Sequence, residues 1–405
     1  MSSWQRNVFA IATATFVGFT GFTVVMPFLP LYLQQLGVED VADVAMWSGL
    51  SLGVTPAVTA LLAPFWGRVS DRFGRKLMVE RSLVSFVFLM GGMAYATQAW
   101  HVFALRAVQG LFAGYGGIAL TMAAESAPPD RTAYAIGIVQ TAQRLGPALG
   151  PVIGGAVAQM VGLRNAFLMT SGFYVVALGI VFFLYEERHG RPSRVAAGAA
   201  AIRFKSVLAF ENFILLMAVI FGLQLVDRSY GPILPLYVAQ LGTPPHRVPL
   251  IAGIIFSVAA GAGAVGNQLC TRLLRWRPAR TIMVVTALTG AVGAALFALT
   301  PSTPVMFLAT PVLGLALGVA STTAYTAASS VIPANARGAG FGLLTTAALV
   351  GLALSPIISG FIAATSIRAV FVLDVIIMLV IAVAVSRHMG AGPVGRTAAP
   401  LAEEI

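Results

Sequence analysis

The 405 residues are 58% hydrophobic and 10% charged, against roughly 25% charged in an average soluble domain. No long polar linker interrupts the apolar runs, so the expected solvent is a bilayer that takes the place of one large core. The net charge of +11 does not make a nucleic-acid binder, because the basic residues sit between hydrophobic runs rather than on one face with stacking aromatics. The single cysteine, Cys270, allows neither an internal disulfide nor a thiolate zinc cluster.

A membrane crossing takes roughly 20 mostly apolar residues in a helix that satisfies its own backbone amides. Twelve stretches meet this, near 8–33, 47–66, 77–97, 101–123, 134–158, 166–185, 212–238, 250–270, 281–299, 305–329, 338–364 and 368–386. The first is too long for a signal-peptide core and leads straight into further spans, so it is expected to be retained. Alternate loops hold nineteen of the 25 Lys and Arg residues, the opposite loops hold only Arg164, Arg247 and Arg368, and Arg106, Arg144 and Arg228 fall within spans. Short basic loops stay on the cytoplasmic side, which places both termini there.

In chain order, the first span contains no acidic residue and ends in Met26-Pro-Phe-Leu-Pro-Leu-Tyr-Leu-Gln-Gln-Leu-Gly37. That segment returns 205 residues later as Gly231-Pro-Ile-Leu-Pro-Leu-Tyr-Val-Ala-Gln-Leu-Gly242, and the register persists in the pairs Pro151/Pro356 and Gly155/Gly360, and at 204 in Gly110/Gly314 and Phe167/Phe371. Each unit holds an even number of spans, so the copies enter the membrane in the same sense, as a parallel repeat. The expected organisation is a six-helix bundle at 1–186, a cytoplasmic linker at 187–210, and a second six-helix bundle with a short tail at 211–405.

The loop after the second span reads Gly67-Arg-Val-Ser-Asp71-Arg72-Phe-Gly74-Arg75-Lys76, a carboxylate and a basic cluster at a tight turn. Such groups can make and break charge-assisted bonds with helix ends; fixing orientation is the plainer reading. The fourth span opens Leu105-Arg106-Ala-Val-Gln-Gly110, and the fifth carries Gly146-Pro147-Ala-Leu-Gly150-Pro151-Val-Ile-Gly154-Gly155, where glycine permits close helix approach and proline a kink. The second half holds only Ser355-Pro356-Ile-Ile-Ser-Gly360, and its loop near 266–277 lacks the aspartate.

These motifs resemble those of the major facilitator superfamily along nearly the whole chain. The loop fits its G-x-x-x-D-R-x-G-R-[RK] signature and the fifth span its antiporter pattern, so the resemblance is to the twelve-span drug:proton antiporters, and in the first half to MdtG-type multidrug exporters. It implies an all-α membrane protein of two parallel six-helix bundles (the major facilitator fold) and alternating access. Asp71 and Arg75 would latch the cytoplasmic side, and Arg106 would take part in proton coupling. With no acidic residue in the first span, the relatives' usual carboxylate is missing.

Ionisable groups in the bilayer cost at least about 2.5 kcal/mol each at mid-depth, which makes each one a functional candidate. Asp227, about mid-way along the seventh span, is the leading proton carrier; a static ion pair is the other reading. Its available partners are Arg228, Arg144 and Arg106, although Arg228 points some 100° away around the helix. Asp374, about six residues into the last span, is a secondary candidate, close enough to the outer interface to be a solvated or a packing residue. If the three arginines face one cavity with Asp227, neutral or anionic compounds suit it better than cations. Phe19, Phe22, Tyr115, Tyr230, Tyr237 and Tyr325 are candidate aromatic walls or packing residues.

Gly261-Ala-Gly-Ala-Val-Gly266 follows no strand and is not a dinucleotide site. No P-loop occurs, the only lysines are Lys76 and Lys205, and His101, His189, His246 and His388 are scattered. No metal, cofactor or enzymatic chemistry is expected. The resulting expectation is a monomeric, proton-driven exporter of drug-like small molecules in a bacterial inner membrane, a contributor to antibiotic resistance. The alternatives are an uptake symporter or facilitator for a metabolite, and a non-transporting membrane sensor.

Overall fold

The computed structural model describes residues 3–187, 210, 212–299, 302–333 and 337–390. Among them are fifteen α-helices and no strand. The first half contains α1 (Ser3–Val24), α2 (Leu29–Gln35), α3 (Val41–Phe73), α4 (Arg75–Ala94), α5 (Ala99–Phe112), α6 (Tyr115–Ser126), α7 (Thr132–Val161) and α8 (Leu163–Leu184). The second contains α9 (Phe213–Ser229), α10 (Leu234–Gln240), α11 (Val248–Trp276), α12 (Ala279–Leu299), α13 (Thr303–Val331), α14 (Arg337–Ala363) and α15 (Ile367–His388).

These helices make twelve crossings, because three of them are broken. The first and seventh break at 25–28 and 230–233, where the paired prolines of the repeated segment interrupt the amide ladder; the α9–α10 bend is 43°. The fourth breaks at Ala113–Gly114, with Gly114 at φ +105°, a left-handed conformation that glycine adopts without strain. The sequence reading had each as one continuous helix. Ten described spans, and the bent α9–α10 pair as an eleventh, are long and apolar enough to cross by themselves. The remaining place belongs to α7, whose 30 residues suffice in length but whose Gln140, Gln143 and Arg144 make it more polar. Outward-facing side chains on the spans, such as Phe183 and Leu61, are apolar and exposed, as lipid contact requires.

The repeat is visible in individual bonds. Tyr32 donates its hydroxyl hydrogen to the carbonyl of Met93 at 2.6 Å, and Tyr237, its copy, donates to Phe297 at 2.8 Å. Each anchors the short helix after a break to the end of a neighbouring span.

The bundles meet through small residues on the side away from the termini. A methyl group at Gly155 of α7 would overlap the Pro249 carbonyl of α11, and one at Gly253 would overlap that of Pro151. In the other copy, Gly49 of α3 stands against the Pro356 carbonyl of α14, and Gly360 against that of Ala45. Backbones can approach this closely only where no side chain intervenes. Two equivalent seams therefore close the far side, while cavities separate the bundles toward the terminal side.

Candidate functional site

A cavity of about 340 Å³ lies between the bundles, lined by α1, α7, α9, α11 and α13. Asp227 and Arg228 enter it from the last turn of α9, Arg144 and Gln143 from α7, and Asn267 from α11. Arg228 Nε stands 2.9 Å from Asp227 Oδ2, each side chain about one-third exposed (34% and 35%). The sequence expectation that Arg228 points away is corrected: the long side chain folds back across the 100° step, giving contact distance without hydrogen-bond alignment. Arg144 is exposed to the cavity, and no ion pair to it is formed among the described residues. The polar wall thus holds two guanidinium groups and one carboxylate.

Gln143 donates to the carbonyl of Gly116 at 2.8 Å, and Asn267 accepts from Thr322 at 2.9 Å, so both amides are oriented by neighbouring spans. Tyr230 stacks on Phe256 at 5.6 Å on the same wall. Tyr237 packs in the core and Tyr325 is half-buried, so of the candidate second-half tyrosines only Tyr230 lines this cavity.

Of the two alternatives for Asp374, solvated or packing, the structure has the buried one. It is 1% exposed, faces α9, and has Ser229 Oγ at 2.7 Å from Oδ2, while Oδ1 has no partner. Rotation around α15 decides this, and depth along the helix does not reveal it. Ser229, two residues beyond Asp227 in sequence, also reaches the carbonyl of Val226 at 3.0 Å.

Arg106 and Tyr115 do not join the other candidates in this cavity. Arg106 is 1% exposed inside the first bundle, with Nη1 donating to Gln109 Oε1 at 3.1 Å and its guanidinium 5.7 Å from the Phe22 ring. Tyr115, Phe19 and Phe22 line a second, mainly apolar cavity of about 720 Å³ among α1, α3, α6 and α14. It reaches toward the terminal side as far as Trp66, Ser70 and Arg75. The expectation of three arginines around one ligand is corrected to two, Arg144 and Arg228.

In the loop after the second span, Gly74 at φ +95° joins α3 to α4. The Arg75 amide donates to Glu187 Oε1 at 2.8 Å, which places a carboxylate at the N-terminus of α4, where the helix dipole favours it. The Arg75 side chain pairs with Glu125 at the end of α6, and Lys76 Nζ donates to the carbonyl of Tyr185 at 2.8 Å. Arg81 lies 3.4 Å over the Trp66 ring. These bonds lie within the first bundle. Arg72 is exposed beside Phe73; the surroundings of Gly67 and the side chain of Asp71 are not described, and most of the 187–210 segment lies outside the described residues.

The glycines of the fifth span divide between two partners. Gly146, Gly150 and Gly154 form one stripe against α1, meeting Phe19 and Thr20, Thr20 and Thr23, and Val24. Gly155 and Pro151 face α11 across the bundles, and Pro147 and Pro151 also line the polar cavity. Sequence reasoning gave no role to Gln109, which it read only as part of the fourth-span motif, or to Tyr174 and Ser229; Tyr174 is placed by its fit against Gly21, which only the fold shows.

Twelve crossings in two bundles around a charged internal cavity define a membrane transporter of small molecules. The chain belongs to the Major Facilitator Superfamily, whose family model matches residues 11–356 and again 279–403. It is 32% identical over 275 residues, 67% of each chain, to the "Multi-drug resistance efflux pump PmrA homolog" of Lactococcus lactis subsp. lactis (strain IL1403). To the "Multidrug resistance protein MdtG" of Serratia proteamaculans (strain 568) it is 35% identical over 257 residues, 63% of this chain and 62% of that protein. The chain thus matches about two thirds of the length of these relatives. Its fold is similar to that of a bacterial homolog of the human lysosomal transporter Spinster, with a TM-score of 0.77 at 16% identity, covering 94% of this chain and 96% of the other.

Proposed function

We propose that this transporter exports drug-like small molecules in exchange for protons by alternating access, as a monomer in a bacterial inner membrane with both termini in the cytoplasm. On this reading 1–186 and 211–405 are the two rocking halves, joined by the linker at 187–210. The observation that carries it is the Asp227–Arg228 pair on the wall of a cavity sealed on one side by the Gly155 and Gly360 seams. A carboxylate whose partner exchanges with substrate or solvent can load and release a proton as its surroundings change. The relatives named as multidrug efflux proteins support the direction and the class of cargo.

In this conformation, open toward the termini, Glu125 holds the Arg75 side chain on its own bundle and Glu187 accepts from the Arg75 amide; Gly67, Asp71, Arg72 and Gly74 complete the loop proposed as the gate. Closure would bring that loop against the second bundle. Gly146, Gly150 and Gly154 would hold α7 on α1 while Gly155 and Pro151 part from α11, so one helix serves as fixed wall and moving seam.

Gradient-driven uptake into proteoliposomes tests the reading with Asp227→Asn. The variant is expected to bind substrate normally and lose the response to a pH gradient; unchanged gradient-driven flux would remove Asp227 from the coupling step.

A further inference from the structure

Four buried polar atoms without a partner gather inside the first bundle: Arg106 Nε, Gln109 Nε2, Tyr115 Oη and Tyr174 Oη. All four are hydrogen-bond donors. Their meeting place is one face of α1. The Tyr115 hydroxyl stands where a methyl group on Gly18 would be, the Tyr174 ring lies 3.0 Å from where one on Gly21 would be, and the Arg106 guanidinium sits beside Phe22. Residues 18, 21 and 22 share a face of the helix and span about 6 Å along its axis. Phe86 packs edge-on against both tyrosine rings, at 6.2 and 5.2 Å, and holds them side by side.

No carboxylate balances this arrangement. Among the described residues, no Asp or Glu pairs with Arg106. The Asp71 side chain is not described, but its backbone lies sixteen residues along α3 from Thr55, whose hydroxyl holds the Arg106 carbonyl at 2.8 Å. That is about 24 Å of helix. A buried cation without a counter-charge, its Nε unpartnered beside an unpartnered amide and two unpartnered phenols, is strongly disfavoured unless an acceptor arrives to complete it.

The place from which one could arrive is the 720 Å³ cavity. Phe22, Tyr115, Gly18 and Phe86 belong both to its wall and to the surroundings of the cluster, and the rest of its lining is mainly apolar, including Leu349 and Leu352 from α14. We propose that this cavity binds a hydrophobic organic anion, its apolar body between α1, α3 and α14 and its carboxylate or similar oxyanion on Arg106, Gln109, Tyr115 and Tyr174. The inference rests on the transport reading and deepens it by naming a substrate class. Phe22 belongs to the cavity wall and its ring lies 5.7 Å from the guanidinium, so its rotation would admit the anionic head. Charge-assisted bonds from a guanidinium and two phenols distinguish an acid from its neutral amide, while the apolar lining alone would not.

Equilibrium binding of radiolabelled naphthoate to the full chain in nanodiscs, compared with its neutral isostere naphthamide, tests the proposal. The wild type should hold naphthoate at least about tenfold more tightly than the amide. Arg106→Gln should bring naphthoate down to the affinity of the amide, and Arg106→Lys should keep most of the preference. Leu349→Trp, which fills the cavity from α14 away from the cluster, should weaken both ligands together. If Arg106→Gln does not fold, Tyr115→Phe and Tyr174→Phe should each reduce the preference several-fold.

Equal affinity for acid and amide in the wild type overturns the proposal, as does an Arg106→Gln protein that binds naphthoate like the wild type. Chloride displacing naphthoate while Leu349→Trp has no effect would mean an inorganic anion, and would overturn the organic one. Because binding needs no gradient, failure here is separate from failure of proton exchange, which only flux measurements detect.

Discussion

The two bundles bury opposite charges. The first encloses Arg106 among phenols and an amide, and the second encloses Asp374 with one serine. At the repeat offset of 204, Arg106 corresponds to Thr310 and Asp374 to Thr170. Both threonines are buried and donate to the carbonyl four residues back, Thr310 to Met306 and Thr170 to Ala166. A packing position of this kind leaves no polar group unsatisfied. Each half therefore holds one ionisable group where the other half has a self-satisfied hydroxyl, at different positions, while both halves share the Tyr32 or Tyr237 anchor and the seam. The scaffold stayed symmetric and the chemistry did not.

The largest expected effect comes from filling a seam. Gly155→Leu and Gly360→Leu, at matching positions of the two copies, should each destabilise the protein by about 1–3 kcal/mol or more through overpacking. The melting temperatures in detergent should fall by similar amounts. Gly172→Ala, where an added methyl meets nothing within 4 Å, should be neutral or stabilising. A large fall in one copy only would break the symmetry of the seams.

Charge removal comes next and sharpens the contrast between the bundles. Arg106→Met removes a buried charge that lacks a counter-charge, so it should raise unliganded stability by about 1–3 kcal/mol while impairing transport. Destabilisation of the same size would mean that the guanidinium is internally satisfied. Asp374→Asn keeps shape and retains an acceptor for Ser229, so it should alter the pH dependence of transport with little change in melting temperature. A pH profile identical to wild type would exclude Asp374 from proton handling.

The smallest effect belongs to the anchors. Tyr32→Phe and Tyr237→Phe each delete one buried hydrogen bond to a carbonyl, worth about 0.5–1.5 kcal/mol. Equal losses in thermal unfolding are expected from the two; a clear inequality would show that the repeated bond bears different loads.

Much of this architecture was legible in the sequence, because hydropathy and loop charge report on crossings, and the Met26–Gly37 segment returns as Gly231–Gly242 with eight of twelve residues identical. The broken first, fourth and seventh spans were less visible, since a proline in an apolar run marks a kink or a stop equally well. The division of the candidate site was hidden for another reason. Depth in the membrane can be counted from a helix end, but the face that a residue presents depends on neighbours far away in sequence. Hence the sequence does not separate Arg106 from Arg144 and Arg228, nor decide whether Asp374 is solvated or packed. Gly18 and Gly21 hold the missing information, as gaps in α1 that only the tyrosines of α6 and α8 explain.

Coupling is tested most directly by reversing its cause and effect. Reconstituted protein facing an outward substrate gradient, with no pH difference imposed, should move protons in the opposite direction, read by a pH-sensitive dye inside the vesicles, because energetic coupling between two sites is reciprocal. The wild type should produce a substrate-dependent pH change that Asp227→Asn lacks. Substrate flux with no accompanying proton movement in the wild type would contradict the account.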